Sequence, residues 1–210
     1  MTKIFTFSGV HGSGKTTIIN DIANRLTNIG ERVFVLQEFP YIPDIQIGTI
    51  DFQAWYQNAM RQRNKVVNRL SRGGLDGEIF DVILLDRHPL DVDVYSSRLF
   101  DERIPKVNIA KEVQEMHHAH KDSIYRQIDY AGMFLLERPI KDIIASLETR
   151  QKKEEHRKAW GEKDIEYLKY IIDTFRIFKE NPNIIFIDNK VLNDTKDLVF
   201  DYVIRRIRDE

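Results

Sequence analysis

The segment GVHGSGKT, residues 9–16, combines three glycines with a lysine and a hydroxyl group, which are residue types suited to holding an anion. Glycine permits backbone conformations that a side chain would block, so consecutive N–H groups of such a loop can line a concave nest. Lys15 can then reach the outer phosphates of a nucleotide, and the Thr16 hydroxyl can ligate Mg²⁺. The spacing predicts a phosphate-binding loop rather than an ordinary glycine-rich turn. The candidate contacts are Gly9, His11, Gly12, Ser13, Gly14, Lys15, Thr16 and Thr17.

An acidic and a basic side chain, Asp86 and Arg87, directly follow the apolar run 81–85. In an open α/β sheet, ligands bind at the carboxyl ends of the strands, so we expect Asp86 to lie beside the phosphate-binding loop. There its carboxylate can hold Mg²⁺ directly or through water, and the planar fork of Arg87 can grip a phosphoryl group. The alternative for this pair is a surface salt bridge.

Another carboxylate follows the apolar run 32–36, in the sequence QEFP at 37–40. At the same edge of a parallel sheet, Glu38 can take the proton from an acceptor hydroxyl. The other interpretation of Glu38 is a solvated glutamate in a loop.

The segment 52–70 has a helical period, with a polar row at 53, 57, 61 and 65 beside a mostly apolar row that Arg63 interrupts. Amide side chains next to aromatic rings can contact the edge and the face of a nucleobase. An amphipathic surface helix would show the same periodicity. The candidate acceptor-binding residues are Phe52, Gln53, Tyr56, Gln57 and Arg61.

Basic residues concentrate at about 150–161, just after the periodic segment 140–150. A mobile basic lid there would neutralise charge on a transferring phosphoryl group and exclude water from the donor. Arg150 and Lys153 are the candidate catalytic residues of this lid. Mixed charges on a helix are also typical of a solvated face.

Short β-branched or aromatic runs alternate with longer periodic segments along the chain. Five runs have the length of buried strands, at 4–7, 32–36, 81–85, 132–136 and 184–187. Helical periodicity is found at 15–29, 52–70, 91–99, 108–128, 140–150, 162–179 and 195–208. This alternation predicts an α/β fold, one domain over 1–210 with a parallel sheet and helices on both faces.

The 210 residues carry 32 basic and 33 acidic side chains, so no global field favours nucleic acid or an anionic membrane. The chain has no cysteine, which excludes disulfides and thiolate metal sites. No apolar stretch approaches the roughly 18 residues that suggest a membrane span. We therefore expect a cytoplasmic protein whose partners are small molecules.

With these motifs, the chain resembles the thymidylate kinase and deoxynucleoside kinase superfamily of P-loop kinases over nearly its whole length. The resemblance is strongest at GVHGSGKTT (9–17) and at DRHPLDVDVY (86–95), where Tyr95 lies eight residues beyond Arg87. The loop histidine with a later Asp-Arg-His-Pro is similar to herpesviral thymidine kinases. TRQKKEE resembles the lid of cellular deoxynucleoside kinases, and DFQ resembles their base-binding Phe-Gln.

The resemblance implies a P-loop kinase fold with a five-stranded parallel sheet, ATP as the phosphoryl donor, and Mg²⁺. It implies that Lys15 and Thr16 bind donor phosphates and metal, and that Asp86 supports the metal. Asp188 lies in FIDNK (186–190), where the family usually has its adenine-contacting loop. The family is commonly dimeric, which makes DVYSSRLF (93–100) a candidate homodimer interface.

On the acceptor side, the resemblance implies a nucleoside or its monophosphate. Arg87 and the lid arginines would then stabilise the transferred charge, while Gln53 and Arg61 would hold the acceptor.

Departures from the family pattern leave the acceptor open. QEFP lacks the arginine that thymidylate kinases have in Arg-Glu-Pro-Gly, which favours a nucleoside with Glu38 as base. DRH stands where deoxynucleoside kinases have Glu-Arg-Ser, which favours thymidylate kinase. Asp91 and Asp93 stand where thymidylate kinases have uncharged polar contacts, so the acceptor need not resemble thymidine; Asp91 and Tyr95 are further candidate acceptor-binding residues. Three hypotheses result: a nucleoside kinase, a kinase of dTMP, and a nucleotide-dependent switch without acceptor chemistry.

Overall fold

The computed structural model describes residues 1–38, 49–73, 77–100, 128–153 and 164–208. At its centre is a five-stranded sheet in the order β2-β3-β1-β4-β5, in which every neighbouring pair is parallel. The strands are β1 (Lys3–Ser8), β2 (Val33–Leu36), β3 (Val82–Asp86), β4 (Gly132–Glu137) and β5 (Ile184–Asp188). The predicted α/β fold with five parallel strands is confirmed.

Six α-helices surround the sheet in the described residues. They are α1 (Lys15–Asn28), α2 (Ile50–Ser71), α3 (Leu90–Phe100), α4 (Ile140–Lys153), α5 (Ile165–Arg176), which continues into a 3₁₀ turn at Ile177–Glu180, and α6 (Leu192–Ile207). Helix α4 extends past its predicted end at 150, so the first residues of the predicted lid are helical. The rest of that lid, and the predicted helix 108–128 up to residue 127, lie outside the described residues.

Both faces of the sheet are covered because side chains alternate along each strand. Phe5 and Phe7 point to one face, where they pack with Ile18 and Ile22 of α1 and Val199 of α6. Apolar side chains of α2, α3, α4 and α5 cover the opposite face. Among the described residues, no helix combines the length and the apolar character needed to cross a membrane.

The register of the sheet brings the candidate residues to one edge. Phe7 near the end of β1 lies opposite Asp86 at the end of β3, and Ser8 lies opposite Leu135 of β4. Because all strands are parallel, the segments that follow β1, β2, β3 and β4 leave the sheet on the same side. The phosphate-binding loop, Glu38 and Asp86 therefore share one edge, as the sequence predicts.

Candidate functional site

The loop between β1 and α1 has backbone geometry that favours glycine at three positions. Gly9, Gly12 and Gly14 have φ angles of +134°, +77° and +98°. A Cβ atom on Gly9 would lie 2.4 Å from the carbonyl oxygen of Leu136 in β4. Gly14 immediately precedes α1, where unpaired N–H groups and the helix dipole favour an anion. The loop thus has the conformation of a phosphate-binding site at a helix N-terminus.

Replacing Gly9 by alanine is expected to lower the free energy of unfolding by about 3 kcal/mol, since overpacking and a strained φ each cost about 1–3 kcal/mol. Gly30→Ala is the matched control, because Gly30 has a φ of +96° but no atom within 4 Å of the added Cβ. That control should cost only about 1 kcal/mol. Urea unfolding measures both variants, and equal losses would contradict the steric argument.

Lys15 reaches across the inside of the loop. Its Nζ donates hydrogen bonds to the carbonyl oxygens of Gly9 at 2.8 Å and Val10 at 3.0 Å. Burial, together with the neighbouring charge of Arg87, lowers the pKa of Lys15 to about 8. The ammonium group is still mostly protonated at pH 7, and a bound anion would stabilise its charge. Lys15 is therefore placed to meet a phosphate in the loop.

Thr16 and Asp86 form a pair of oxygen ligands beside the loop. The Thr16 hydroxyl donates to Asp86 Oδ2 at 2.8 Å, whereas Asp86 Oδ1 is buried without a hydrogen-bond partner. A hydroxyl beside a carboxylate is a ligand set that suits Mg²⁺, and the ion would satisfy the buried oxygen. In the part of the chain that the structure describes, no group of three or more His, Cys, Asp or Glu side chains could hold a metal. The pair therefore fits a Mg²⁺ ion that arrives with a nucleotide.

Arg87 lies at the centre of the site with only 1% of its side chain exposed. It follows β3 with a φ of +87°, in the left-handed region that few side chains adopt. Its guanidinium lies 2.8 Å from carboxylate oxygens of both Glu38 and Asp91. It also donates to the Gly9 carbonyl at 2.9 Å and to the Tyr95 hydroxyl at 3.0 Å. Protein groups surround the guanidinium in this structure, and the predicted role of Arg87 in gripping a phosphoryl group stays a prediction.

The two carboxylates that bind Arg87 differ in access to solvent. Asp91 is fully buried, and burial raises its pKa although the Arg87 charge opposes the shift. Glu38 keeps 33% of its side chain exposed. Burial would raise the pKa of Glu38, but the charge of Arg87, with a smaller contribution from Lys15, lowers it to about 2. Glu38 is therefore an accessible, ionised carboxylate held in a fixed position beside the loop.

His11 lies in the loop against Arg87. The Arg87 Nη2 and His11 Nδ1 atoms are 3.1 Å apart, and because a guanidinium only donates, Nδ1 accepts this hydrogen bond. Burial, together with the Arg87 charge, lowers the pKa of His11 well below its ordinary value. The ring also packs at 5.2 Å against that of Tyr95. His11 is therefore neutral, with its proton on Nε2.

His88 has a structural role at the start of α3. Its Nδ1 accepts a hydrogen bond from the Leu90 N–H at 2.9 Å, and its ring packs edge-on against Tyr130. Burial, together with the charge of Arg63, lowers the pKa of His88 to about 3. The buried ring therefore stays neutral in the folded protein over the whole physiological pH range.

Acidification from pH 7 to pH 5 is expected to remove about 2 kcal/mol of stability through His88 alone. Between pH 6.5 and about 3 the unfolded chain protonates this histidine and the folded protein does not, so stability falls as the pH falls. His88→Asn removes the titration, while the asparagine oxygen can still accept from Leu90. Urea unfolding at pH 7 and 5 should show a smaller pH dependence for the variant. An unchanged dependence would contradict a buried neutral His88.

The polar row of α2 is buried at Gln53 and Gln57 but exposed at Lys65, so a solvated surface does not describe the whole row. Gln53 and Gln57 are buried, and Arg61 is half-buried. Gln53 donates from Nε2 to the Ser96 hydroxyl on α3. The amide predicted to read an acceptor is thus bonded to a neighbouring helix in this structure.

An aromatic cluster occupies the first turns of α2. The Phe52 ring lies 5.5 Å from the Trp55 ring and 6.2 Å from the Tyr56 ring, and it is nearly parallel to the latter. Burial raises the pKa of Tyr56 well above its ordinary value, with the carboxylate of Glu38 adding to the effect against the opposing charge of Arg87. The cluster therefore lies near the Glu38–Arg87 pair.

Two residues that sequence reasoning did not select hold the loop from behind. Asn189 is buried and donates from Nδ2 to the Ser13 carbonyl at 2.7 Å. Arg138 donates to the Gly12 carbonyl at 3.3 Å and to the Ser146 hydroxyl at 2.8 Å. Asn189 directly follows β5, and Arg138 directly follows β4. A polar residue just after a strand is the one sequence signal that could have selected them.

The remaining predicted residues lie further from the loop or outside the described side chains. Asp188 is exposed and forms an ion pair with Lys190, and Thr17 is exposed on α1. Arg150 is half-buried in α4, close enough for its charge to lower the pKa of His11 after the larger effect of burial. The side chain of Lys153 lies outside the described ones.

Comparison with known proteins gives one match to a family. A family model described as an AAA domain matches residues 4–171. This span runs from β1 into α5, so it includes the loop, Glu38, Asp86 and Arg87 but not Asn189. A search among curated proteins finds no significant match.

Proposed function

The chain belongs to the AAA domain family of P-loop NTPase-type, nucleotide-binding folds, and on this premise we propose that it is a nucleoside kinase. In this proposal it transfers the γ-phosphoryl group of ATP to the 5′-hydroxyl of a nucleoside. The observation that carries the proposal is the ionised, one-third exposed Glu38 carboxylate, held 2.8 Å from Arg87 beside the phosphate loop. A hydroxyl acceptor loses a proton when it is phosphorylated, and Glu38 can accept it.

In the transfer step, the 5′-oxygen forms a bond to the γ-phosphorus while the bond to the bridging oxygen of ADP breaks. The hydroxyl proton passes to the Glu38 carboxylate. With a pKa of about 2, Glu38 is a weak base, so it orients the hydroxyl and takes the proton late, when bond formation has made that proton acidic. Arg87 contributes by fixing the carboxylate in place.

On the donor side, Lys15 and the loop N–H groups would bind the phosphates of ATP. Thr16 and Asp86 would hold a Mg²⁺ ion, which when bound neutralises charge on the β- and γ-phosphate oxygens. Arg150 would add positive charge from the end of α4, and the basic residues of the predicted lid would exclude water.

On the acceptor side, the aromatic cluster of Phe52, Trp55 and Tyr56 supplies flat apolar surface near Glu38. A nucleobase is an aromatic ring with polar edges, so it suits a site that combines these rings with the amide of Gln57. The 5′-hydroxyl of the sugar that carries this base would then lie towards the loop.

A nucleoside monophosphate, such as dTMP, is the second candidate acceptor. Arg61 favours it, because this half-buried side chain has a buried Nε without a hydrogen-bond partner. The same hypothesis also requires Arg87 to bind the acceptor phosphate, and Arg87 is enclosed by Glu38, Asp91 and Tyr95. The enclosed guanidinium is the reason for preferring a nucleoside.

A coupled ADP-release assay with Mg-ATP, run against nucleosides and their monophosphates, tests the proposal. Turnover with a nucleoside supports it. Turnover with monophosphates alone would favour the second acceptor class and make Arg61 the residue to mutate. Slow ATP hydrolysis that no acceptor stimulates would identify a nucleotide-dependent switch and overturn the proposal.

A further inference from the structure

We propose that Arg63 of α2 is a positioning residue that ties the carboxyl ends of β2 and β3 together and thereby sets where Glu38 and Arg87 lie. Its effect on catalysis rests on the proposed function, because it acts through Glu38. The hydrogen bonds from Arg63 to the two strand ends do not depend on the proposed function, so they can be tested separately from it.

The contacts of Arg63 span the two strand ends that carry the ion pair. Its side chain is only 7% exposed. Nη2 donates to the Leu36 carbonyl at 3.2 Å, and Nη1 donates to the Arg87 carbonyl at 3.3 Å. Leu36 is the last residue of β2 and lies two residues before Glu38, while Arg87 directly follows β3. One guanidinium therefore fixes the spacing of the backbone segments from which Glu38 and Arg87 project.

The hydrogen bond to Arg87 also supports an unusual backbone conformation. With a φ of +87°, Arg87 adopts a conformation that persists only where the surroundings determine it. Its carbonyl lies past the end of β3, and a buried carbonyl in such a position requires a donor. Arg63 supplies that donor and so helps to hold the turn that aims the Arg87 side chain at Glu38.

Arg63 makes the two contacts from two different nitrogens of its side chain. Its planar fork carries separate donors on two nitrogens in a fixed relative geometry. Lysine has a single nitrogen, so it can donate to two carbonyls only where both lie close to that one atom, as Gly9 and Val10 do around Lys15. Methionine fills a similar volume but donates to neither carbonyl, so the strand ends would lose their common partner.

The kinetic test compares Arg63→Met and Arg63→Lys with Arg69→Met, a control on the exposed face of the same helix. For Arg63→Met we expect kcat for nucleoside phosphorylation to fall by about 10-fold to 100-fold, since small misplacements of reacting groups have effects of this order. The Kd of Mg-ATP should change much less than kcat, because neither carbonyl that Arg63 binds belongs to the phosphate loop, which Arg87 contacts only through its side chain. Arg63→Lys should lie between wild type and Arg63→Met, and Arg69→Met should match wild type.

Two kinetic results would overturn the role. One is an unchanged kcat in folded Arg63→Met, and the other is a loss of ATP affinity as large as the loss of kcat. If Arg63→Met does not fold, Arg63→Lys carries the same comparison with a smaller expected loss of kcat.

Hydrogen–deuterium exchange separates failure of this inference from failure of the proposed function. Peptides covering 84–90 should exchange faster in Arg63→Met, whereas α1 should keep its protection. If the wild-type protein phosphorylates no nucleoside, the proposed function fails, and the exchange result alone decides the positioning role. Faster exchange at 84–90 in Arg63→Met then supports the positioning role of Arg63, and unchanged exchange there overturns it.

Discussion

Replacing Glu38 by glutamine is expected to lower kcat for phosphoryl transfer to a nucleoside by about 10²–10⁴-fold, the range typical for loss of a general base. Glutamine keeps the size of the side chain and can still accept a hydrogen bond from Arg87, but it cannot take the hydroxyl proton. Since Glu38 lies outside the phosphate loop, the Kd of Mg-ATP should change little. Steady-state kinetics at saturating ATP and calorimetric titration with ATP measure the two effects separately.

Glu78→Gln is the control, because Glu78 is an exposed carboxylate away from the described site. The low pKa of Glu38 adds a second check: the wild-type rate should show no inflection near pH 4–5, where an ordinary glutamate titrates. An unchanged kcat in Glu38→Gln would remove Glu38 from the chemistry and leave it as a partner of Arg87. A loss confined to ATP affinity would assign Glu38 to the binding of ATP and not to proton transfer.

Replacing Lys15 by methionine is expected to lower kcat/KM for ATP by about 10²–10³-fold, since Lys15 is the cation placed inside the phosphate nest. The effect of the same substitution on folding stability should be different from its effect on activity. Burial lowers the pKa of Lys15 to about 8, so the fold disfavours the charged ammonium that is present at pH 7. Methionine removes that buried charge but also the donor to the Gly9 and Val10 carbonyls, so the melting temperature of the nucleotide-free variant should change little.

Thermal unfolding with and without Mg-ATP tests both parts of this expectation. The wild type should gain stability from the nucleotide by mass action, whereas Lys15→Met should gain little at the same concentration. Lys169→Met provides the control, because Lys169 is exposed on α5 and pairs with Glu166. An equal nucleotide-dependent gain in Lys15→Met would contradict the assignment of Lys15 to the phosphate site.

Within the described residues, the sequence by itself determined the order and type of the elements. Each predicted strand is within one residue of the observed one at both ends, because runs covered on both faces stand out as apolar between polar segments. The loop at 9–16 was equally clear, since three of its glycines adopt positive φ angles that few other residues accept. The placement of Glu38 and Asp86 at one edge then follows from parallel topology alone.

Only the tertiary structure decided which polar side chains are buried and what they bind. Arg63 read as an interruption in an apolar row of α2, yet it is a buried donor to the ends of β2 and β3. Arg87 read as a phosphate ligand, and only the structure shows that its guanidinium lies against Glu38 and Asp91. The residues next to an arginine in the sequence do not reveal whether its guanidinium contacts solvent, a phosphate or a carbonyl. The partner depends on residues far away along the chain, and the packing of helices on the sheet brings those residues together.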